Sequence, residues 1–172
     1  MVLAVAVLGA CGSSDDEPKS FDEDGFGITF EYPGDLQRTE DVNLSQSAGN
    51  AQKTVALATS EDNAIFVQRY GLNRSVGAGD AGMVRKELDQ VLGRLSGSPV
   101  EGKRIDVGGP LTFRYEIDRL DTPKDGRSTI VVTFDGDTEY FINCQSVPDG
   151  RDELEKACDQ AIDTLQLKGD AA

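Results

Sequence analysis

The chain has 172 residues, of which 38% are hydrophobic and 28% charged, with a formal net charge of −14. This length suits one globular domain with a single core. The charge argues against a nucleic-acid partner, because binding a phosphate backbone needs clustered Lys and Arg. The sequence contains no histidine, which excludes Ser-His-Asp and Cys-His nucleophiles and every His-containing zinc site.

The N-terminus begins with an apolar run over residues 2–8. This run is too short to cross a membrane as a helix, which needs about 20 residues. It is typical of the hydrophobic region of a signal peptide, which we assign to residues 1–10. No basic residue precedes the run, so we expect the signal peptide to be truncated here and to continue upstream.

The four residues Leu8-Gly9-Ala10-Cys11 resemble the lipobox of bacterial lipoproteins. The resemblance implies that Cys11 receives a diacylglyceryl group and a palmitate-like acyl chain and becomes the first residue of the mature protein. Two or three acyl chains, at about 0.8 kcal/mol per buried methylene, anchor a protein stably. We therefore expect the membrane to be a partner, with the protein lipid-anchored on its extracytoplasmic face; the alternative is a free Cys11 in a buried strand.

The segment after Cys11, GSSDDEPKSFDED, has no aliphatic residue and many like charges. Such a composition cannot bury enough surface to offset the entropy of ordering, so we predict a lipidated flexible tether over residues 11–24. Its acidic residues lack the ligand spacing of an EF-hand loop, and we expect no metal. A single folded domain is predicted over residues 25–168, with a short tail at 169–172.

Alternating apolar residues predict strands in the first half of the domain. Phe26, Ile28, Phe30 and Tyr32 alternate with polar or small residues up to a Pro-Gly turn, which indicates a half-buried strand. Two weaker strands are predicted around residues 53–59 and 64–70, on either side of a turn.

A helix is predicted from Asp80, as N-cap, to Gly97, where a glycine ends it. Its apolar face is formed by residues at helical spacing: Val84, Leu88, Val91, Leu92 and Leu95. The preceding Gly77–Gly82 segment satisfies a G-x-G-x-x-G pattern, which in a parallel βαβ unit binds dinucleotide phosphates. Here Asp80 would place negative charge where the phosphate lies, so we interpret the segment as a loop with a cap.

The second half of the domain is predicted to contain three strands and a helix. Alternation is regular over residues 111–118, and strands at 128–134 and 138–143 flank Asp135-Gly136-Asp137, a sequence typical of a hairpin turn. A final helix begins after Gly150. Its apolar positions are Leu154, Cys158, Ala161, Ile162 and Leu165.

The remaining two cysteines lie at the end of the last strand and on the buried side of the last helix. Export to an oxidising compartment and an even count after acylation of Cys11 both favour pairing. We predict a Cys144–Cys158 disulfide; two buried reduced thiols are the alternative. A catalytic thiol is disfavoured because there is neither a histidine to activate it nor a Cys-X-X-Cys spacing.

The order of elements, together with the segment Phe26-Gly27-Ile28-Thr29-Phe30-Glu31-Tyr32-Pro33, resembles the PsbP-like fold. This fold is shared by the extrinsic photosystem II protein, the Ran-binding Mog proteins and the LpqN-type lipoproteins of actinobacteria. The resemblance covers residues 25–168. It implies an α+β fold, an antiparallel β-sheet sandwiched by helices, which these families use for docking to other proteins.

From these features we expect a non-catalytic envelope lipoprotein, without a cofactor, that binds a protein or cell-wall component. The main alternative is a carrier that holds a small hydrophobic ligand or lipid between the sheet and the 80–96 helix, near Phe66, Tyr70, Phe113 and Tyr115. A module binding cations on surface carboxylates is a further alternative. An enzyme using Glu116 and Asp118 as acid and base is a fourth, and the least expected.

Overall fold

The computed structural model describes residues 17–39, 51–118 and 125–169. Cys11 and the predicted signal peptide lie outside these ranges. The strands are β1 (Lys19–Phe21), β2 (Ile28–Tyr32), β3 (Gln37–Thr39), β4 (Lys53–Ala58), β5 (Ala64–Val76), β6 (Lys103–Ile105), β7 (Thr112–Asp118), β8 (Arg127–Ser146) and β9 (Gln166–Leu167), and the helices are α1 (Ala81–Ser96) and α2 (Arg151–Asp163).

A six-stranded antiparallel sheet in the order β3-β4-β5-β8-β7-β6 forms the centre of the molecule. A second sheet, in the order β1-β2-β9, packs with α2 against one face of it and encloses the larger core. Helix α1 covers part of the opposite face and encloses the smaller core. This arrangement confirms the predicted α+β class, with an antiparallel sheet between helices.

The folded part of the chain begins before the predicted boundary at residue 25. Lys19–Phe21 forms β1 and pairs with β2, and the Phe21 ring stacks on Phe30 with centroids 4.6 Å apart. Phe21 is only 2% exposed. The composition of residues 11–24 does not predict this strand, because a single aromatic residue supplies the buried surface that holds it in place.

The predicted hairpin at Asp135-Gly136-Asp137 is confirmed. Residues 127–146 form one extended run, β8, whose first arm pairs with β7 and whose second arm pairs with β5. Gly136, between the two arms, has the positive φ of 58° that favours a turn.

The contacts of α2 show that the two arms of β8 lie side by side. Arg127 in the first arm donates a hydrogen bond to Glu155, and Cys144 in the second arm is bonded to Cys158, one turn further along the same helix. A straight strand would separate Arg127 from Cys144 by about 56 Å, at 3.3 Å per residue. The core under α2 accordingly receives side chains from both arms.

Helix α1 has its predicted ends but differs from its prediction on one side. Asp80 is the N-cap residue and Gly97 the C-cap residue, as predicted, although the Asp80 side chain caps no α1 amide and a single 3-10 turn at 78–80 precedes the helix. Val84 and Leu92 are buried as predicted, whereas Val91 and Leu95 are 43% and 53% exposed. The apolar side of α1 is therefore wider than the part of it that packs against the sheet.

Helix α2 carries the second half of the cysteine pair. Cys144 on β8 and Cys158 on α2 form a disulfide in the structure, with their Cα atoms 5.9 Å apart. Both residues are buried among the side chains of the larger core. The bond therefore ties α2 to the central strand of the large sheet, in the pairing that the sequence predicts.

We predict that this bond forms in the exported protein and stabilises it. In a Cys11→Ser background, denatured but unreduced protein should show no thiol accessible to alkylation, and reduced protein should show two. Replacing both Cys144 and Cys158 with Ser should lower the free energy of unfolding by about 3 kcal/mol, the value for a loop of roughly 15 residues. Two labelled thiols without reductant would contradict the prediction.

Candidate functional site

In the glycine-rich loop before α1, the carboxylate of Asp80 contacts the loop's own backbone and a neighbouring arginine. Asp80 Oδ2 accepts a hydrogen bond of 3.0 Å from the Gly77 N–H, and Oδ1 lies 3.3 Å from Arg74 Nη1. The Gly77 bond and then Arg74 lower the pKa of Asp80. The carboxylate thus stands where a bound phosphate would place its charge, which agrees with the interpretation of this segment as a structural loop.

The paired carboxylates considered for acid–base chemistry lie on an exposed polar strip. Glu116 is 3.6 Å from Arg114, and Asp118 is 3.4 Å from Arg127. Their side chains are 66% and 81% exposed. Such exposed ion pairs are typical of solvated surface groups. Within the described ranges, moreover, no three His, Cys, Asp or Glu side chains are grouped as metal ligands.

Two of the aromatic residues considered for a carrier form the wall of a filled core. Phe113 and Tyr115 are 2% and 1% exposed and pack beneath α1 with Val84 and Leu92. The Tyr115 hydroxyl donates a 3.0 Å hydrogen bond to Asp89. Burial, and then this contact, raise the pKa of Tyr115. These rings therefore contribute to the stability of the α1 layer.

The other two aromatic residues, Phe66 and Tyr70, lie on a part of the sheet that α1 does not cover. Residues directly opposite each other in neighbouring strands project from the same face, so the strand register identifies the side chains of this surface. We call it the amide face because four carboxamides lie on it. It consists of Gln37, Thr39, Thr54, Ala56, Ala58, Ala64, Phe66, Gln68, Tyr70, Glu139, Phe141, Asn143 and Gln145.

The amide face differs in charge from the rest of the protein. Among its described side chains, only Glu139 carries a carboxylate, and none carries a basic group. The whole chain, by contrast, is 28% charged. The Ala56, Ala64 and Phe66 side chains form a small apolar cluster of their own at one end, so the face combines apolar, aromatic and uncharged polar groups.

Two buried polar atoms of the amide face lack hydrogen-bond partners within the described part of the chain. They are Nε2 of Gln68, a donor, and Oδ1 of Asn143, an acceptor. Gln68 is directly opposite Phe141, and Asn143 is two residues further along β8, so the two amides are diagonal neighbours. A buried polar group without a partner costs about 1–3 kcal/mol. Three other buried atoms of the described chain, Arg114 Nε, Ser128 Oγ and Arg151 Nε, also lack a partner.

Glu139 lies at the edge of the same group of side chains. It is directly opposite Tyr70 on β5, and burial raises its pKa. The pKa of Tyr70 is raised by its own burial and then by the charge of Glu139. A partly desolvated carboxyl group is thus available to accept or donate a hydrogen bond beside the two amides.

The exposed side of α1 borders this surface. Asp89 accepts hydrogen bonds from Tyr115 on β7 and from the Gly102 N–H next to β6. With 100° between successive helical residues, Val91 and Leu95 lie on the flank opposite Asp89. Leu72 on β5 and Phe141 on β8 pack against the core under α1, so we place this flank, with its two exposed apolar side chains, on the side of the amide face.

A small cavity beside the disulfide is a weaker candidate. It is lined by Arg127, Thr129, Ser146 and Glu155 among others and measures about 10 Å³. This is close to the smallest volume that holds one water molecule. The amide face with the adjoining flank of α1 is therefore the candidate site.

Of the residues of this site, the sequence analysis identified only Phe66 and Tyr70. Gln68 lies between them at strand spacing, and a polar residue on an otherwise apolar strand face is a pattern that could have pointed to this site. The β8 residues were harder to place, because the predicted hairpin gives residues 138–143 one neighbour and leaves their pairing with β5 unknown.

We predict that Glu139→Gln stabilises the protein at pH 7. A carboxyl group whose pKa is raised by folding contributes stability below its unfolded pKa of about 4.3, and this contribution is lost as pH rises through the folded pKa. The variant should gain more than the ~0.5 kcal/mol typical of surface changes at pH 7, and nothing near pH 3.5, in urea unfolding. Glu116→Gln is the matched control; an equal effect of both variants would contradict the prediction.

No helix in the described ranges has the length and apolar character needed to cross a membrane. No family model matches the sequence, and no curated protein matches it either.

The fold has counterparts among solved structures. The solution structure of cyanobacterial PsbP (CyanoP) from Synechocystis sp. PCC 6803 superposes with a TM-score of 0.58 and 13% identity, covering 93% of this chain and 98% of that one. A crystal structure from Bacteroides thetaiotaomicron VPI-5482 gives a TM-score of 0.56 at 15% identity, covering 90% of this chain and 50% of that one. At these identities the likeness concerns the fold alone, and this chain has the PsbP-like fold.

Proposed function

We propose that the chain is a non-catalytic lipoprotein of a bacterial cell envelope, anchored through Cys11, that binds a protein or envelope component on its amide face. The observation that carries this proposal is the partly exposed rim of the amide face together with α1. The middle of the face is closed, since Phe66 and Gln68 are at most 7% exposed. Its rim carries few charges on a strongly acidic protein, and Val91 and Leu95 of α1 are exposed apolar side chains. Exposed apolar side chains grouped in this way are typical of interaction sites.

The position of the proposed anchor suits this role. The eight Cα–Cα steps from Cys11 to Lys19 can span at most about 29 Å, which keeps the domain close to the membrane. β1 belongs to the layer that packs with α2, on the opposite side of the large sheet from the amide face. A partner can therefore approach the amide face without meeting the anchor.

Docking is favoured over the carrier alternative by the packing under α1. A carrier would need space between the sheet and α1, and that space is occupied by Leu92, Phe113 and Tyr115, each at most 2% exposed. The amide face instead offers a surface to one side of the helix. The CyanoP likeness supports an accessory role by analogy of fold, which is weaker support than the site.

The anchor is tested by native mass spectrometry of the protein extracted from its own membranes. The expected mass is that of a chain beginning at Cys11 plus a diacyl or triacyl increment, and Cys11→Ala should abolish the increment and release the protein from the membrane fraction. A mature chain without acyl groups would contradict the anchor. A dissociable small adduct would favour the carrier alternative.

The binding surface is tested by site-specific photo-crosslinking in intact cells. A photoreactive amino acid at Val91 should give a discrete cross-linked product, because this side chain borders the amide face and is 43% exposed. The control position is Lys156, which is exposed on α2 on the opposite side of the sheet. Equal products from both positions, or none from Val91, would contradict docking on this face.

A further inference from the structure

We propose that the exposed row of α1 formed by Met83, Val91 and Leu95 binds an acidic amphipathic helix of a partner protein. This inference rests on the proposed docking role of α1 and specifies the chemistry of the partner.

The exposed apolar residues of the protein are gathered in this row. Within the described ranges, the only large hydrophobic residues that are exposed are Met83, Val91 and Leu95, at 44%, 43% and 53%. Their positions differ by multiples of four, so they share one side of the helix. At 1.5 Å per residue the row is about 18 Å long. Such a row is the kind of ridge that packs into the groove of a second helix.

Two basic residues beside the row have no partner in the part of the chain that the structure describes. Lys86 and Arg94 are exposed, and neither makes an ion pair or a hydrogen bond there, whereas Arg74 pairs with Asp80. At 100° per residue, Arg94 lies about 20° and Lys86 about 60° from Met83 around the helix. A helix packed on the row would therefore lie within reach of both unpaired cations.

The local charge of the row is opposite in sign to that of the whole chain. Glu87 occupies the remaining position of the row and is exposed, so Lys86, Glu87 and Arg94 together leave one positive charge. The chain as a whole carries −14, but charges more than about 8 Å away are largely screened at physiological ionic strength. The charges nearest the row therefore favour acidic side chains beside the apolar residues of the partner.

A second copy of this chain suits the row less well. Both copies would carry a net charge of −14, and three side chains cannot bury the roughly 800 Å² per partner that a stable interface needs. A partner helix in the same membrane needs less area, because anchoring both proteins raises their effective concentration. A weak contact with a different protein is therefore favoured over a dimer.

An anionic membrane surface is also less suitable as the occupant. The carboxylate of Glu87 lies in the middle of the row, and the charge of the whole chain opposes approach to anionic lipids. The tether joins the domain at β1, whose Phe21 belongs to the core under α2, on the opposite side of the large sheet from α1. The row is thus placed to meet a protein beside the domain.

The test uses the acylation-deficient full chain (Cys11→Ser), ¹⁵N-labelled, with two synthetic helical peptides as probes. Both peptides carry Leu at helical spacing along one side, and the positions flanking the Leu residues are Glu in one peptide and Lys in the other. The Glu peptide should shift the backbone amide signals of α1 and bind at least fivefold more tightly than the Lys peptide at 50 mM NaCl. The difference should shrink at 500 mM NaCl, because salt screens exposed charges.

Variants of the charged residues test the sign of the interaction. Lys86→Gln combined with Arg94→Gln should weaken binding of the Glu peptide about fivefold, as expected for two exposed ion pairs, and Glu87→Gln should strengthen it. Lys156→Gln, at an exposed position on α2, is the matched control and should leave binding unchanged. All these side chains are exposed, so the variants should remain folded.

Several results would overturn the inference. They are the absence of α1 shifts with the Glu peptide, equal binding of the two peptides, or an equal loss in the Lys156→Gln control. Self-association in sedimentation that Leu95→Ser abolishes would assign the row to a second copy, and binding to phosphatidylglycerol vesicles that Leu95→Ser abolishes would assign it to the membrane. Cross-linking at Val91 does not depend on the charge of the partner, so failure here would leave the proposed docking role standing.

Discussion

The fold depends on the burial of β8 along both of its faces. This run extends from Arg127 to Ser146, turns at Gly136, pairs with β7 through its first arm and with β5 through its second, and contributes side chains to both large cores. Apolar burial of roughly 25 cal/mol per Å² on two sides of one hairpin is the main link between the α1 layer and the α2 layer. The disulfide adds a covalent link from the same strand to α2.

Much of this architecture could be predicted from periodicity alone. The alternation over residues 26–32 and 111–118 and the helical spacing after Gly150 each correspond to an element of the structure, because a half-buried element must place its apolar residues at the period of its backbone. The cysteine pairing followed from the same reasoning, since it placed one thiol at the end of a strand and the other on a buried helix face.

The errors have a common physical origin in tertiary context. Residues 11–24 have the composition of a solvated tether, but Phe21 stacks on the Phe30 ring and is buried. A contact with a residue outside the segment decided this, and the composition of the segment itself does not report it. In the same way, the apolar character of Val91 and Leu95 predicted burial, yet the amount of sheet available under α1 decided their exposure.

The candidate site could not be derived from the sequence because it depends on which strands become neighbours. Gln68 and Asn143 are 75 residues apart in the chain and meet only through the β5–β8 register. Single residues of this kind carry no recognisable motif. A fold-level likeness does not supply the site either, because the same scaffold can carry unrelated surfaces.

The turn at Gly136 makes the molecule sensitive to the length of one short segment. Both arms of β8 are held against α2, by the contact of Arg127 with Glu155 and by the disulfide of Cys144, so residues 135–137 must close the turn at a fixed length. Removing one of them would shift one arm by a residue relative to the other, and because strand side chains alternate, Cys144 would then project away from Cys158. A change in length here would disrupt the larger core and the disulfide together.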